Sequence, residues 1–251
     1  MEETAIQKKT FLKIIIIIFI IIFCVCIFFL IYSAIFAQKV YLGVYVSGKH
    51  VGGMTYSDLY NYLDNKSKKF DELGINYKYN DFIYNIKPIV EESEDTGYRL
   101  IYFETDKTAK RAYNFGRESN FFNNAINQIL ILIYPKKLKL DYDFNKEKWR
   151  EILENNFKQF ETEFIYPKVI FNGDDITISN PQDGQIFDYN KLMHITEKQI
   201  NNLNSTDINL ELEIRKCPVS IDEASEKKDL IKQIIDLGEI KLQFEDKFWN
   251  I

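Results

Sequence analysis

The chain has 251 residues, 46% of them apolar and 27% charged, a mixture that excludes a disordered polar polymer and fits a folded chain. The formal charge is -5, and the part after Ala37 holds 29 basic against 35 acidic side chains, or -6, which argues against nucleic acid or another polyanion as partner. Only one of the three cysteines, Cys217, follows Ala37, so no intramolecular disulfide can form in that part.

In chain order, the first predicted element is a membrane span. Ile14 to Ala37 is an uncharged run that reaches about 36 Å as a helix, against a hydrocarbon core of about 30 Å. Lys8, Lys9 and Lys13 precede it, and this cationic bias predicts a cytoplasmic amino terminus with the remaining body outside. A cleaved secretory signal is the alternative. Its apolar region is normally about 7 to 15 residues long and ends in a small-x-small site, and neither feature fits here. The reading is therefore a retained signal anchor with a single pass; Ile126 to Tyr134 is too short to be a second span.

A first module follows. Tyr41 to Val46 alternates as a strand and enters a glycine-rich turn ending at Gly52 and Gly53. Thr55 and Asp58 form a capping pair opening a helix with Leu59, Leu63, Phe70 and Leu73 on one face. Ile75 to Tyr79 and Phe82 to Ile86 flank Asn80-Asp81 as a hairpin. Arg99 to Glu104 is the next strand, Asp106 is expected to cap a short helix, and Gly116 to end it in a left-handed conformation. A helix from Ser119 or Asn120 carries Phe122, Ile126, Ile129, Leu130 and Ile133 on a broad apolar face, and is expected to be largely buried.

The order then recurs about 90 residues on, in elements rather than residue identities. Leu138 to Phe144 reads as a strand, and the next helix bears Trp149, Ile152, Leu153, Phe157 and Phe160. Val169 to Phe171 and Ile176 to Ile178 flank the turn Asn172-Gly173-Asp174-Asp175. Asp188 caps a helix with Leu192, Ile195, Gln199 and Leu203, and Ile208 to Ile214 alternates as a strand. Ser220 with Glu223 is a capping box for a last helix ending at Gly238, and the tail from Glu239 to Ile251 adds a strand. The fold class is α+β: an N-terminal transmembrane helix followed by two small mixed α/β modules of strand, helix and hairpin.

Few residues carry chemistry. His50 lies in a polar turn and His194 on a helix without a second ligand at metal spacing, so both read as surface residues and no metal or cofactor is expected. Cys217, before Pro218, reads as a small half-buried side chain rather than a nucleophile. Asp174-Asp175 and Glu91-Glu92-Ser93-Glu94-Asp95 lack the calcium-loop pattern and read as solvated loops. Arg117 is the one candidate ligand-binding residue: its guanidinium follows a helix-ending glycine and can take a peptide carboxylate or, the favoured reading, pair with an internal acid. Trp149 belongs to an apolar stripe, whereas Trp249 is freer to stack on a sugar. Gly52, Gly53, Gly116 and Gly184 are read as structural.

Three stretches together carry a resemblance: Gly43-Val44-Tyr45-Val46-Ser47-Gly48 through Val51-Gly52-Gly53-Met54-Thr55; Ala112-Tyr113-Asn114-Phe115-Gly116-Arg117; and Ile178-Ser179-Asn180-Pro181-Gln182-Asp183-Gly184-Gln185-Ile186-Phe187-Asp188. Their order from Gly43 to Asp188 resembles the extracellular region of VanW-type bacterial envelope proteins, a peptidoglycan-binding domain that also precedes the catalytic domain of some L,D-transpeptidases. A VanW domain would begin near Leu237 to Phe244, and the His and Ser-His-Gly-Cys-x-Arg motif of the transpeptidases does not occur. The resemblance implies a wall-facing, non-catalytic domain and does not place ligand contacts on residues.

The expected layout is a cytoplasmic tail (1–13), an anchor (14–37), an N-terminal module (38–105), a peptidoglycan-binding domain (106–219) and a C-terminal helix and tail (220–251). The expected partners are the membrane, peptidoglycan and envelope proteins. Three readings remain open: a wall-binding module, a scaffold for wall-synthesis machinery, and a shortened relative of a longer VanW or transpeptidase protein. An enzyme ranks last, because no nucleophile can be paired with a base.

Overall fold

The structure is a computed structural model and describes residues 2–93, 96–172, 175–236, 241–244 and 247–250. Its first element, α1 (Glu2–Ile35), contains the stretch Phe11–Ile35, which is long and apolar enough to cross a membrane. Ile14 to Phe23 are all at least 46% exposed, so among the described residues no protein face covers that part of the helix. Small mixed sheets and amphipathic helices follow, in the α+β arrangement read from the sequence.

β1 (Val44–Val46) is shorter than the expected Tyr41 to Val46, because Gly43 turns the chain at φ +85°. β2 is Lys49–His50. α2 (Tyr56–Leu73) opens on the expected capping box: the Asp58 N–H donates to Thr55 Oγ1 at 3.1 Å, and the Thr55 N–H to Asp58 Oδ2 at 3.2 Å. Leu59, Leu63 and Phe70 are buried, whereas Leu73 is 50% exposed and Ser67 takes a place in the buried stripe. β3 (Ile75–Tyr79) and β4 (Phe82–Ile86) are neighbours, with Asn80 at φ +49° between them.

β5 (Ile89–Ser93) pairs antiparallel with β6 (Thr96–Arg99). The expected strand Arg99 to Glu104 breaks at Leu100, whose N–H donates to Pro88 O and whose carbonyl accepts from Asn145 N–H, and β7 (Ile101–Phe103) begins beyond it. Asp106 does not cap α3 (Thr105–Asn114). Glu104 holds the cap position without a side-chain cap bond, while Asp106 accepts the Tyr56 hydroxyl and pairs with Lys110 at 2.6 Å. Gly116, at φ +80°, follows the helix as expected.

α4 (Phe121–Ile133) starts at Asn120, whose side chain accepts from Asn123 N–H at 2.9 Å. The expectation that its apolar face is buried is overturned. Ile126, Ile129, Leu130 and Ile133 are 54%, 45%, 44% and 64% exposed, while Gln128 and Ile131 turn inward; Phe122 lies outside the residues whose side chains are described.

The expected strand Leu138 to Phe144 is two strands, β8 (Lys136–Leu138) and β9 (Tyr142–Phe144), because each serves a different partner: β8 lies parallel to β1, and β9 antiparallel to β7. α5 (Lys146–Phe157) buries Trp149, Leu153 and Phe157. β10 (Val169–Asn172) and β11 (Asp175–Ile178) pair antiparallel, as expected of the two runs; Gly173 and Asp174, on which the expected turn falls, lie outside the described residues, as do Glu94 and Asp95.

β12 (Gly184–Phe187) is followed by α6 (Tyr189–Asn202), where the Lys191 N–H donates to Asp188 Oδ1 at 3.0 Å, the cap expected of Asp188. The expected strand Ile208 to Ile214 divides into β13 (Ile208–Asn209), beside β3, and β14 (Leu212–Arg215), antiparallel to β12. Ser220 and Glu223 form the capping box of α7 (Ile221–Ser225), with α8 (Lys228–Asp236) after it; the expected end at Gly238 lies outside the described residues. β15 (Lys241–Phe244) and β16 (Lys247–Asn250) make the tail a hairpin rather than one strand.

These elements gather into two compact units that are discontinuous in sequence. The first is Met1–Asn76, Asn85–Lys146 and His194–Ile208, and the second is Tyr77–Tyr84, Glu147–Met193 and Asn209–Ile251. Each draws on both modules expected from the sequence. In the first unit Val44, Val46, Val51, Leu59, Leu63 and Ile101 are fully buried, and the Phe70 ring meets Phe103 edge-on at 5.6 Å. The core of the second is aromatic: the Phe157 ring meets Tyr77, Phe82, Phe160 and Phe187 within 6.5 Å, and the Trp149 indole N–H donates to the Tyr77 hydroxyl at 2.8 Å.

Candidate functional site

In the first unit, β1 lies between β2 and β8, and register rather than sequence distance decides which side chains meet. Tyr45 stands opposite His50 on one side and Lys137 on the other. Val44 and Val46 point into the core with no exposure, so the alternation of a strand turns Tyr45 to the opposite face. Its ring meets His50 edge-on at 5.0 Å. His50 is fixed in turn by the Gly43 N–H, which donates to its Nε2 at 3.2 Å.

This face borders a cleft of about 600 Å³, a volume suited to one ligand group. Tyr45, Ser47, Lys137 and Lys139 line one side; on the other stand His194, Glu197, Lys198 and Asn201 of α6. The four α6 residues recur at intervals of three, four and seven, the spacing of one helical face. Glu197 is held by Lys146 at 2.5 Å, and the Asn201 amide donates to the Tyr142 hydroxyl at 3.1 Å. Burial, with the Glu197 carboxylate adding to it, pushes the Tyr142 hydroxyl above the usual tyrosine range, so it stays protonated.

Two properties make the cleft receptive. Lys137, Lys139 and Lys198 bring three cations to it, and the single carboxylate on its lining, Glu197, is already paired with Lys146. On the helix side the Asn201 amide spends both its N–H groups internally, on the Tyr142 hydroxyl and on Glu197 O at 2.9 Å, which leaves its side-chain oxygen as an acceptor for an incoming N–H or hydroxyl.

A cleft of about 510 Å³ in the second unit differs in kind. Its cations are largely satisfied from within: Arg150 pairs with Glu154 at 2.6 Å and Arg215 with Glu163 at 3.5 Å. Glu161, Asp188 and Glu213 also line it, so a carboxylated ligand would meet net negative charge.

The structure gives Arg117 an internal role, with backbone carbonyls rather than the favoured acid as its partners. The guanidinium donates to Phe36 O at 2.7 Å and to Lys39 O and Tyr113 O, and it lies 4.1 Å from the Tyr41 ring and 4.4 Å from that of Tyr113. A cation at the end of α1 complements the partial negative charge of the last carbonyls. Arg117→Ala should lower stability by about 2 kcal/mol, the range for hydrogen bonds to a charged donor, while retention on peptidoglycan by the folded fraction stays unchanged. Thermal unfolding with a retention assay checks both; weaker retention at equal folding would return Arg117 to the ligand.

Cys217 is partly exposed, and its N–H donates to Asp183 Oδ1 at 2.9 Å. Trp149 is fully buried, and the Trp249 side chain lies outside those described. Among the described residues no three His, Cys, Asp or Glu side chains gather as a metal site. Sequence reasoning missed the cleft. The available signals were the polar stripe His194, Glu197, Lys198, Asn201 and the run Lys136-Lys137-Leu138-Lys139, which a whole-chain charge of -5 conceals.

Residues 89–209 match the model of a family described as "Putative peptidoglycan binding domain". No curated protein and no solved structure matches the chain. The matched segment contains Lys137, Lys139, His194, Glu197, Lys198 and Asn201, and Tyr45 and Ser47 precede it.

Proposed function

We propose that this chain is a membrane-anchored, non-catalytic cell-envelope protein whose body lies outside the cytoplasm and binds peptidoglycan in the cleft of Tyr45, Lys137, Lys139 and Lys198. One observation carries the reading: a cationic cleft with an aromatic wall, built largely from the segment that matches the peptidoglycan-binding family. Peptidoglycan offers what such a lining takes. Stem-peptide carboxylates meet the lysine ammonium groups, a peptide N–H meets the Asn201 side-chain oxygen, and a sugar face packs on Tyr45. A shared ancestry with VanW-type and transpeptidase-associated domains is supported by the stretches around Gly43, Gly116 and Gly184.

The test is sedimentation of the detergent-solubilised full chain with insoluble peptidoglycan, followed by analysis of the muropeptides in the pellet. Retention without new products is the expected result. A chain left in the supernatant favours the scaffold reading, and new muropeptides that disappear with Cys217→Ala would make it an enzyme.

The proposed orientation follows from Lys8, Lys9 and Lys13 before the span. Alkaline phosphatase fused after Ile251 should be active in cells. An inactive fusion whose body is shielded from protease in spheroplasts would reverse the topology.

A further inference from the structure

α4 is amphipathic in the wrong sense for a helix on a water-facing body. Ile126, Ile129, Leu130 and Ile133, at intervals of three, four and seven, form one stripe, and that stripe faces outward. The polar Gln128 faces inward. Its amide donates to the Tyr41 hydroxyl at 2.7 Å and to Gly116 O at 3.3 Å, and its Oε1 accepts from Ser33 Oγ of α1 at 3.3 Å. Four adjacent half-exposed aliphatic side chains are costly in water, at roughly 25 cal/mol per Å² of apolar surface left uncovered.

The place of the stripe says what covers it. Ile129 and Leu132 of α4 share a crevice with Val25, Phe28 and Phe29 of α1, lined also by Tyr32 and Gln128, so Ile129 of the outward stripe borders the exposed apolar surface of the span. Val25 is ten residues from Ile35, about 15 Å along the helix axis, or half of a hydrocarbon core of about 30 Å. α4 therefore stands beside the half of the span that one leaflet surrounds. Its 13 residues reach only about 20 Å, too short to cross a bilayer and long enough to lie in one leaflet. It is followed at once by Tyr134, 73% exposed, and by Lys136, the aromatic and cationic types that settle at a membrane interface.

We propose that α4 is a second membrane-contacting element, embedded in the leaflet at the C-terminal end of α1, with lipid acyl chains covering Ile126, Ile129, Leu130 and Ile133. This rests on α1 crossing the bilayer and not on peptidoglycan recognition.

The test places nitroxide labels, one at a time, at Leu130→Cys, Ile133→Cys, Ile18→Cys and Lys66→Cys in full-length protein whose native Cys24, Cys26 and Cys217 are replaced by alanine. The protein is reconstituted in phosphatidylethanolamine and phosphatidylglycerol vesicles, and accessibility to oxygen is compared with accessibility to a water-soluble nickel chelate. Labels at 130 and 133 should show an oxygen-to-nickel ratio several-fold above that at 66 and approaching that at 18. If 18 reports lipid while 130 and 133 match 66, the proposal fails and the anchor stands. Spin–spin broadening at 130 that vanishes on dilution with unlabelled protein would put a second copy on this face and equally overturn it. None of these readings depends on wall binding, so the two proposals fail separately.

Discussion

Gly43→Val should lower stability by about 2 to 5 kcal/mol, and the midpoint of thermal unfolding in detergent by about 10 °C. Two costs combine. At φ +85° a side chain forces the backbone into a region that a β-branched residue strongly avoids, at about 1–2 kcal/mol. A Cβ there would also drive into the backbone carbonyl of Ile131, which cannot rotate away as a side chain would, and overpacking of this sort adds about 1–3 kcal/mol. Gly53→Val separates the two, since Gly53 has φ +88° but nothing within 4 Å of a built Cβ. Equal destabilisation by both variants would show that the close approach to Ile131 is not tight in solution.

The second large effect is on binding. The triple variant Lys137→Glu, Lys139→Glu, Lys198→Glu should reduce retention on peptidoglycan at least tenfold, since about 1.4 kcal/mol suffices for that factor and three inverted charges face the ligand's carboxylates. Raising the salt concentration should weaken the unaltered protein in the same direction, because exposed charges are screened within about 10 Å at 0.1 M. The control, Lys66→Glu, Lys68→Glu, Lys69→Glu on α2, changes the net charge equally while inverting exposed lysines outside the cleft lining. Equal loss in both triples would reduce the effect to net charge and remove the cleft from the mechanism.

Signals confined to a few residues were legible in the sequence. The boxes Thr55/Asp58 and Ser220/Glu223, the cap at Asp188, the turn at Asn80 and the left-handed Gly116 all stand where local chemistry put them. Strand ends were not, because they depend on distant partners: Leu138 to Phe144 reads as one alternating run, yet it serves β1 at one end and β7 at the other. Periodicity marks the stripe on α4 but not its exposure, since it gives a direction around a helix and not the medium it faces. The cleft escaped for a related reason. A sum over 214 residues contains no information about three lysines brought together by β8, the residue after it and α6. A sequence displays side chains, so acids are the partners it offers Arg117, whereas the carbonyls of Phe36, Lys39 and Tyr113 become acceptors only once α1 and α3 end where they do.

The way the body leaves the span sets how far it can reach. α1 ends at Ile35, and by Val40 the chain is already locked: the Val40 N–H donates to Met54 O at 2.8 Å and Val40 O accepts from Gly53 N–H at 2.9 Å. Between them the Phe36, Ala37 and Lys39 carbonyls are held by Arg117 and Tyr113, and the Leu42 N–H donates to the Tyr32 hydroxyl at 3.3 Å. Four intervening residues could extend about 14 Å at most, and here they are folded back. Such a joint works as a bracket and not a leash. A bracketed receptor gives up the search volume of a swinging arm, so a cleft in the same unit as α1 stays near the end of that helix. Under the proposed topology and wall binding, that favours strands newly emerging at the membrane over mature layers farther out.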